Sequence, residues 1–205
     1  MRKLTEERRQ AIINAAAQLF QEIGYVRASM DAVAKRVGGS KATLYNYFSS
    51  KEELFETVIR TYSVNFMTAA ADSLSEPGSE LLSLEQRLIR FGERMLQVLA
   101  DDNKALQLYR VVVGEAGYSD TGKLFYESGL KDSMEKLAQV MADAIQKGEL
   151  EDGDPMLRAM QLTTLVKAET EGLLFQRELT RYTPEQIKQM VRRGVQTFLY
   201  GSLRR

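Results

Sequence analysis

The chain has 205 residues, of which 44% are hydrophobic, and its 28 Lys and Arg balance its 28 Asp and Glu. It contains no cysteine and no histidine, which excludes disulfides and removes the commonest general base and metal ligand, so we expect neither a metal site nor a cofactor. No apolar run approaches the roughly 20 residues that cross a bilayer, and the N-terminus lacks the apolar segment of a signal peptide. We therefore expect a soluble, cytoplasmic protein without a membrane partner.

The charges are divided unevenly along the chain. Residues 1–51 carry nine Lys or Arg against four Asp or Glu, whereas the other 154 residues carry 19 Lys or Arg against 24 Asp or Glu. The N-terminal quarter therefore has a net charge of +5 and the remainder a net charge of −5. This asymmetry favours a protein whose N-terminal end meets nucleic-acid phosphates.

Helical periodicity covers most of the chain, and no hairpin signal interrupts it, so we predict an all-α fold of about nine helices. The first helix is predicted at residues 5–23. Thr5 is its expected N-cap, and Gly24 is its expected C-cap.

Two short helices are predicted next. Ser29 is expected to cap the second helix, and the pair Gly38-Gly39 then turns the chain. Ser40 is expected to cap a third helix that ends near Tyr47.

A fourth helix is predicted to begin with a capping box at Ser50. The Ser50 hydroxyl is expected to accept the N–H of Glu53, whose carboxylate would reach back to the Ser50 N–H. The helical pattern continues past Phe66 towards residue 73. The segment SEPGS at residues 75–79 is the clearest break in the chain.

The chain beyond this break has the pattern of a helical bundle. Asp154 and Pro155 begin one of its long helices, and TPEQ at residues 183–186 is a capping box that begins the last helix. The predicted helices cover residues 84–99, 104–114, 124–145 with an irregularity at Gly129, 154–181 and 183–203.

Two short helices joined by a glycine turn, behind a longer bracing helix, fit a helix-turn-helix. Residues 25–55 resemble the DNA-binding domain of the TetR family of transcriptional regulators, most closely at SKATLYNYF (40–48) and SKEELF (50–55). The resemblance covers about residues 8–60 and implies a regulator that binds double-stranded operator DNA. The family commonly has a small apolar residue where this chain has Gly39. We predict a helix-turn-helix domain of three helices at residues 1–50 and a ligand-binding and dimerisation domain at residues 51–205.

The third helix is expected to bind DNA, because the N-terminus of a helix points free N–H groups at anions. Lys41 and Thr43 are predicted to read base edges, and Ala42 to touch a thymine methyl group. The resemblance implies phosphate contacts for Tyr45 and Tyr47, although packing of Tyr45 against the first helix is an alternative. Lys51, at the start of the fourth helix, is predicted to bind a phosphate, and Arg27 and Ser29 are further candidates for phosphate contacts. The complete set of predicted DNA-binding residues is Arg27, Ser29, Ser40, Lys41, Ala42, Thr43, Tyr45, Asn46, Tyr47 and Lys51.

A homodimer is expected, because one recognition helix reads too few base pairs and dimers bind half-sites about 34–36 Å apart. TetR-like proteins build an intersubunit four-helix bundle from their last two helices. The predicted dimer residues are Thr164, Ala168, Gly172, Ile187, Met190, Val191, Gly194, Val195 and Phe198. The alternative is that these stripes close the core of the monomer.

The middle helices are rich in Met and aromatic residues, which suit a small hydrophobic or amphipathic effector. Residues 109–129 also resemble the C-terminal domain of AefR-like TetR regulators, with Gly117-Tyr118-Ser119 where a more basic or proline-containing turn is usual. The predicted pocket residues are Phe66, Phe91, Met95, Tyr109, Tyr118, Phe125, Met141 and Phe175, with plain core as the alternative.

These observations favour a homodimeric repressor that a small hydrophobic effector releases from its operator through a change in the fourth helix. An interaction protein of the same fold that has lost operator binding is the alternative, and Gly39 is the residue that supports it. A helical enzyme is disfavoured, because no pair of Asp or Glu lies at helical spacing on an apolar face.

Overall fold

The structure is a computed structural model that describes residues 5–100, 104–176, 178 and 180–201, without the side chains of residues 63–66 and 104. Within these residues all regular secondary structure is helical, which confirms the predicted all-α fold. The α-helices are α1 (Glu6–Ile23), α2 (Met30–Val37), α3 (Lys41–Tyr45), α4 (Lys51–Ile59), α5 (Asn65–Asp72), α6 (Leu84–Leu96), α7 (Lys104–Glu115), α8 (Thr121–Phe125), α9 (Lys131–Gln146), α10 (Pro155–Lys167) and α11 (Pro184–Tyr200). Across the described ranges, none of these helices combines the length and the apolar character that a bilayer crossing requires.

Two π-helical turns join successive α-helices. Arg60–Val64 connects α4 to α5, and Tyr126–Leu130 connects α8 to α9. The second turn contains the predicted irregularity at Gly129, whose φ of 142° lies outside the helical region and favours glycine.

Packing divides the described residues into two compact units. The first consists of Met1–Val64 with Lys104–Ser128, and the second of Asn65–Asn103 with Gly129–Arg205. In the first unit, Phe55 of α4 and Leu108 of α7 share one buried core with the apolar residues of α1, α2 and α3. The predicted boundary after residue 50 divides the chain by function and stays a prediction, whereas packing places α4, α7 and α8 with the first three helices.

Local capping explains where α1, α2 and α3 begin. Thr5 accepts the N–H of Arg8, Ser29 accepts that of Ala32, and Ser40 accepts that of Thr43, as predicted. Each cap satisfies one of the N–H groups that a helix N-terminus leaves without a partner. The third helix ends at Tyr45, two residues earlier than predicted.

The start of α4 differs in one detail from the predicted capping box. Ser50 accepts the N–H of Glu53 at 3.1 Å, as expected. The Glu53 carboxylate, however, accepts the backbone N–H of Ser49 at 2.7 Å and the Ser49 hydroxyl at 2.6 Å. Ser49 offers two donors to one carboxylate oxygen, and these hydrogen bonds lower the pKa of Glu53.

The second unit is a bundle in which α6, α9 and α11 pack on α10, and α5 packs on α6 and α9. Three of its helices, α6, α10 and α11, begin at side-chain caps. Ser83 and Gln86 form a capping box at α6, and Thr183 and Gln186 form the predicted one at α11. Asp154 caps α10 and Pro155 occupies its first turn, also as predicted.

The helix α10 ends at Lys167, so the predicted extent to residue 181 is wrong. The N–H and the hydroxyl of Thr170 both donate to the Lys167 carbonyl at 2.8 Å. These hydrogen bonds reach back three residues, as in a 3₁₀ helix, and not four as in an α-helix. A 3₁₀ turn at Glu171–Phe175 follows.

Most of the stripe of α11 that was predicted to face a second subunit is buried inside this chain. A Cβ atom on Gly194 would lie 2.8 Å from Val166 Cα, so this glycine lets α11 approach α10 of the same monomer. The buried residues are Ile187, Met190, Val191, Gly194 and Val195, which favours the alternative that this stripe closes the core of the monomer, and their place in a dimer interface stays a prediction. Thr164, Ala168 and Gly172 are exposed, and Phe198 is half-buried.

We expect Gly194→Ala to lower the free energy of unfolding by about 1–3 kcal/mol, because the new methyl group meets backbone atoms of α10 that cannot move aside cheaply. Chemical denaturation measures this change. Gly172→Ala is the matched control, since its methyl group would have no heavy atom within 4 Å. Equal stability of the two variants would contradict the close approach of α10 and α11.

Candidate nucleic-acid interface

The structure exposes most of the third helix. Its buried anchor is Leu44, and Phe48 just beyond its end is also buried, which leaves the opposite face open to solvent. The predicted DNA-binding residues that are exposed are Arg27, Ser29, Ser40, Lys41, Ala42, Tyr45 and Asn46, whereas Thr43, Tyr47 and Lys51 are half-buried.

The first turns of α2 and α3 lie side by side. The Lys41 ammonium is 3.2 Å from a carboxylate oxygen of Asp31 in the first turn of α2. Both side chains are largely solvated, so the pair contributes about 0–1 kcal/mol and gives way readily to another anion. The pair brings Ser29 and Lys41 to the same end of the helix-turn-helix.

The hydroxyl of Thr43 lies 2.9 Å from the Ser40 hydroxyl, which itself accepts the Thr43 N–H. The predicted base reader is thus held by the cap of its own helix. Its role in reading base edges stays a prediction.

The two tyrosines of the third-helix segment have different surroundings. Tyr45 is 43% exposed. Tyr47 instead packs against the core of the first unit, and its hydroxyl accepts the N–H of Thr5 at 3.0 Å. That bond leaves the hydroxyl proton of Tyr47 as a donor for a phosphate oxygen.

Lys51 contacts the backbone between α1 and α2, which supports the candidate interface. Its ammonium donates to the carbonyls of Tyr25 and Ala28, both at 3.2 Å, and lies 4.2 Å from the centroid of the Tyr25 ring. The Tyr25 hydroxyl donates to Glu52 at 3.1 Å, and burial followed by the Glu52 charge raises the Tyr25 pKa. Two of the three donors of Lys51 therefore hold the link between α1 and α2, a role that the sequence did not indicate.

Other basic residues of the first unit also brace the fold. Arg27 donates to the carbonyl of Ile23 at 2.7 Å, at the end of α1. Arg36 forms a bidentate pair with Glu22, and these hydrogen bonds lower the pKa of Glu22. Arg8, which in the sequence is only one of the basic residues of the N-terminal quarter, donates to the carbonyl of Val37 at 3.1 Å.

The predicted pocket residues are distributed over both units. Phe91, Met95 and Met141 are core residues of the second unit, whereas Tyr109 and Phe125 form a half-buried ring pair in the first unit, 5.4 Å between centroids. Tyr118 and Phe175 are 89% and 87% exposed, which does not fit the wall of an enclosed pocket. The side chain of Phe66 lies outside the described residues.

Comparison with known families agrees with this geometry. Residues 12–58 match the model of the bacterial regulatory proteins of the tetR family, and residues 86–201 match that of the AefR-like transcriptional repressor C-terminal domain. The chain belongs to the TetR family. Both resemblances noted in the sequence are thereby confirmed.

Individual TetR-family relatives match over different lengths. The solved structure of the flavonoid-responsive regulator FrrA is 34% identical with a TM-score of 0.69, over 95% of this chain and 96% of that one. The transcriptional activator FasR of Mycolicibacterium smegmatis is 39% identical over 69 residues, 34% of this chain and 32% of FasR. The fatty acid metabolism regulator protein of Bacillus subtilis is 22% identical over 151 residues, 74% of this chain and 75% of that protein.

The chain spans about a third of the length of the first curated relatives that it matches. These relatives and the structural neighbours are regulators of transcription and not enzymes.

We expect Lys51→Met to lower thermal stability in the absence of DNA, because two carbonyls lose a charged donor that contributes about 1.5–3 kcal/mol per bond. The methionine retains most of the contact with the Tyr25 ring. Thermal unfolding of the free protein measures the effect, and Lys35→Met on the exposed face of α2 is the control.

The same variant tests the predicted phosphate contact of Lys51 in a separate measurement. A phosphate contact requires the slope of log K against log salt to fall by about 1 in magnitude, with equal loss on all DNA sequences. An unchanged melting temperature would contradict the structural role, and an unchanged salt slope would contradict the phosphate role.

Proposed function

We propose that this TetR-family protein is a homodimeric DNA-binding repressor that a small hydrophobic or amphipathic effector releases from its operator. The observation that carries DNA binding is the exposed third helix, capped by Ser40 and anchored by buried Leu44. Lys41, Ala42 and Asn46 project from it into solvent, which is the arrangement that a major groove accepts. Gel shift on the DNA upstream of the gene, with Lys41→Ala and Thr43→Val, tests this step.

The repressor assignment rests on the match of residues 86–201 to the AefR-like repressor domain. An activator is the second candidate, because FasR carries that description. A reporter gene under the operator separates the two, since deletion of a repressor raises expression and deletion of an activator lowers it.

Release by an effector is supported by the position of α7. Leu108 and Val112 of α7 belong to the core that also holds α1 and α4. At the end of α7, Glu115 accepts the N–H of Val26, at 3.4 Å, in the link that leads into α2. A ligand that binds one arrangement of α7 and α8 better than another would therefore change the position of the DNA-binding helices.

The chemical class of the effector is inferred from two relatives. The names of FrrA and of the Bacillus subtilis protein point to flavonoids and to fatty acid metabolism. Fatty acids have an apolar chain that ends in a carboxylate, and flavonoids have flat aromatic rings that carry hydroxyl groups, so both combine apolar and polar surface. The ring pair of Tyr109 and Phe125 is the part of the first unit that we assign to such a ligand.

The dimer interface is assigned to the exposed face of α10. Leu157, Met160, Thr164 and Ala168 recur at spacings of three and four residues and are all exposed. Met160 is 54% exposed, and such an apolar stripe favours contact with a second copy of the chain.

We expect one class among long-chain fatty acids, their thioesters and flavonoids to lower operator affinity at least tenfold in a fluorescence anisotropy titration. Phe125→Ala should abolish the response and retain DNA binding, because it removes half of the ring pair. Tyr126→Ala, at an exposed neighbouring position, is the control that should retain the response. Unchanged operator affinity with every candidate would contradict release by a hydrophobic effector.

We expect Ala168→Arg to convert a dimer to a monomer in analytical ultracentrifugation and to weaken operator binding at least a hundredfold, because a charge in an apolar interface lacks a partner. Gln146→Arg, at an exposed position of α9, should leave both properties unchanged. A dimer that survives the Ala168 change would place the interface elsewhere.

A further inference from the structure

The first turn of α1 contacts the chain on both sides of the recognition helix α3. Before α3, Arg8 donates to the carbonyl of Val37 at 3.1 Å. After α3, the N–H of Thr5 donates to the Tyr47 hydroxyl at 3.0 Å, and the Arg9 guanidinium lies 5.1 Å from the centroid of the Phe48 ring. The recognition helix is thus held at both ends by one turn of another helix.

Gly39 provides the space that Arg8 occupies. A Cβ atom on Gly39 would lie 2.6 Å from Nη2 of Arg8, closer than real contacts allow. The backbone of Gly39 is not in the positive-φ region, unlike that of Gly38, whose φ is 70°. Gly39 is therefore not required by its backbone conformation, and what a side chain there would displace is the Arg8 guanidinium.

Arg8 contacts the segment of the chain that determines the direction of α3. Val37 is the last residue of α2, where carbonyls lack helical partners and a cation interacts favourably with the helix dipole. The turn that follows leads through Gly39 directly into Ser40, the cap of α3. Because α3 has only five residues, its direction depends on this turn and on the buried side chains at its end.

We propose that Arg8 is a positioning residue that sets the direction of the recognition helix, and that residue 39 is glycine in order to admit its guanidinium. This inference rests on the proposed function of α3 as the DNA reader. It also removes the reason for regarding Gly39 as a sign of lost DNA binding, because a specific contact fills the space of the missing side chain.

A double-mutant cycle of Arg8→Ala, Gly39→Ala and the double variant tests the coupling. Each protein is titrated with operator DNA and with random DNA, and the ratio of the two affinities is compared. We expect each single variant to lower this ratio about tenfold, because Gly39→Ala displaces Arg8 from Val37. The double variant should fall no further than Arg8→Ala, since the methyl group then has nothing to displace.

Two further measurements separate positioning from direct contact. The salt slope on random DNA should stay unchanged in Arg8→Ala, whereas a phosphate contact by Arg8 would lower its magnitude by about 1 and overturn the proposal. Gly117→Ala is the matched control, because its methyl group would meet no heavy atom within 4 Å. Thermal unfolding verifies that every variant is folded. If Arg8→Ala does not fold, the ratio of operator to random affinity of Gly39→Ala alone still tests the proposal.

The outcomes distinguish the inference from the function on which it rests. If Lys41→Ala and Thr43→Val weaken operator binding but the cycle is additive, α3 reads DNA and the role of Arg8 and Gly39 is refuted. If those two variants leave operator binding unchanged, α3 is not the reader and both proposals fail.

Discussion

The contact on which the first unit depends is the cluster of three rings formed by Phe20, Tyr25 and Phe55. The rings of Phe20 and Phe55 meet edge to face at 5.1 Å, and Tyr25 lies 4.6 Å from Phe55 and 5.8 Å from Phe20. This cluster joins the end of α1, the link after it and the middle of α4, and Lys51 covers the Tyr25 ring. The short helices α2 and α3 have too few residues to be stable alone, so their positions follow from this frame.

The same frame extends to a distant part of the chain. Leu108 and Val112 add one face of α7 to the core that contains Phe20 and Phe55. A helix that lies about 50 residues after α4 in sequence thus shares its packing with the DNA-binding helices. The proposed coupling between an effector and the operator then needs only a shift within this one packed core, since close-packed interiors transmit strain well.

Features governed by neighbouring residues could be predicted from the sequence. Ser29, Ser40 and Thr183 cap helices at the predicted positions, because a cap depends on the residue itself and on the few residues that follow it. The recognition segment was identifiable because its residue types and spacing are specific.

Features governed by packing could not be predicted in this way. The apolar stripe of α11 that contains Val191 has the same period whether it faces α10 of its own chain or a second subunit, so periodicity alone does not decide between them. The sequence likewise identifies Lys51 only as a cation near the predicted interface, because the two carbonyls that it contacts come from a distant segment of the chain.

Under the proposed role of Lys41 as a reader of DNA, its ion pair with Asp31 has a consequence for the speed of the search along DNA. When Lys41 turns to a phosphate, the Asp31 carboxylate loses its partner and faces a strongly negative surface. On random DNA only the attraction between Lys41 and the phosphate offsets that repulsion, which favours short-lived encounters. At the operator, the proposed hydrogen bond from Lys41 to a base adds to that attraction. The acidic residue beside the reader thus favours rapid departure from wrong sites, and long residence is reserved for the right one.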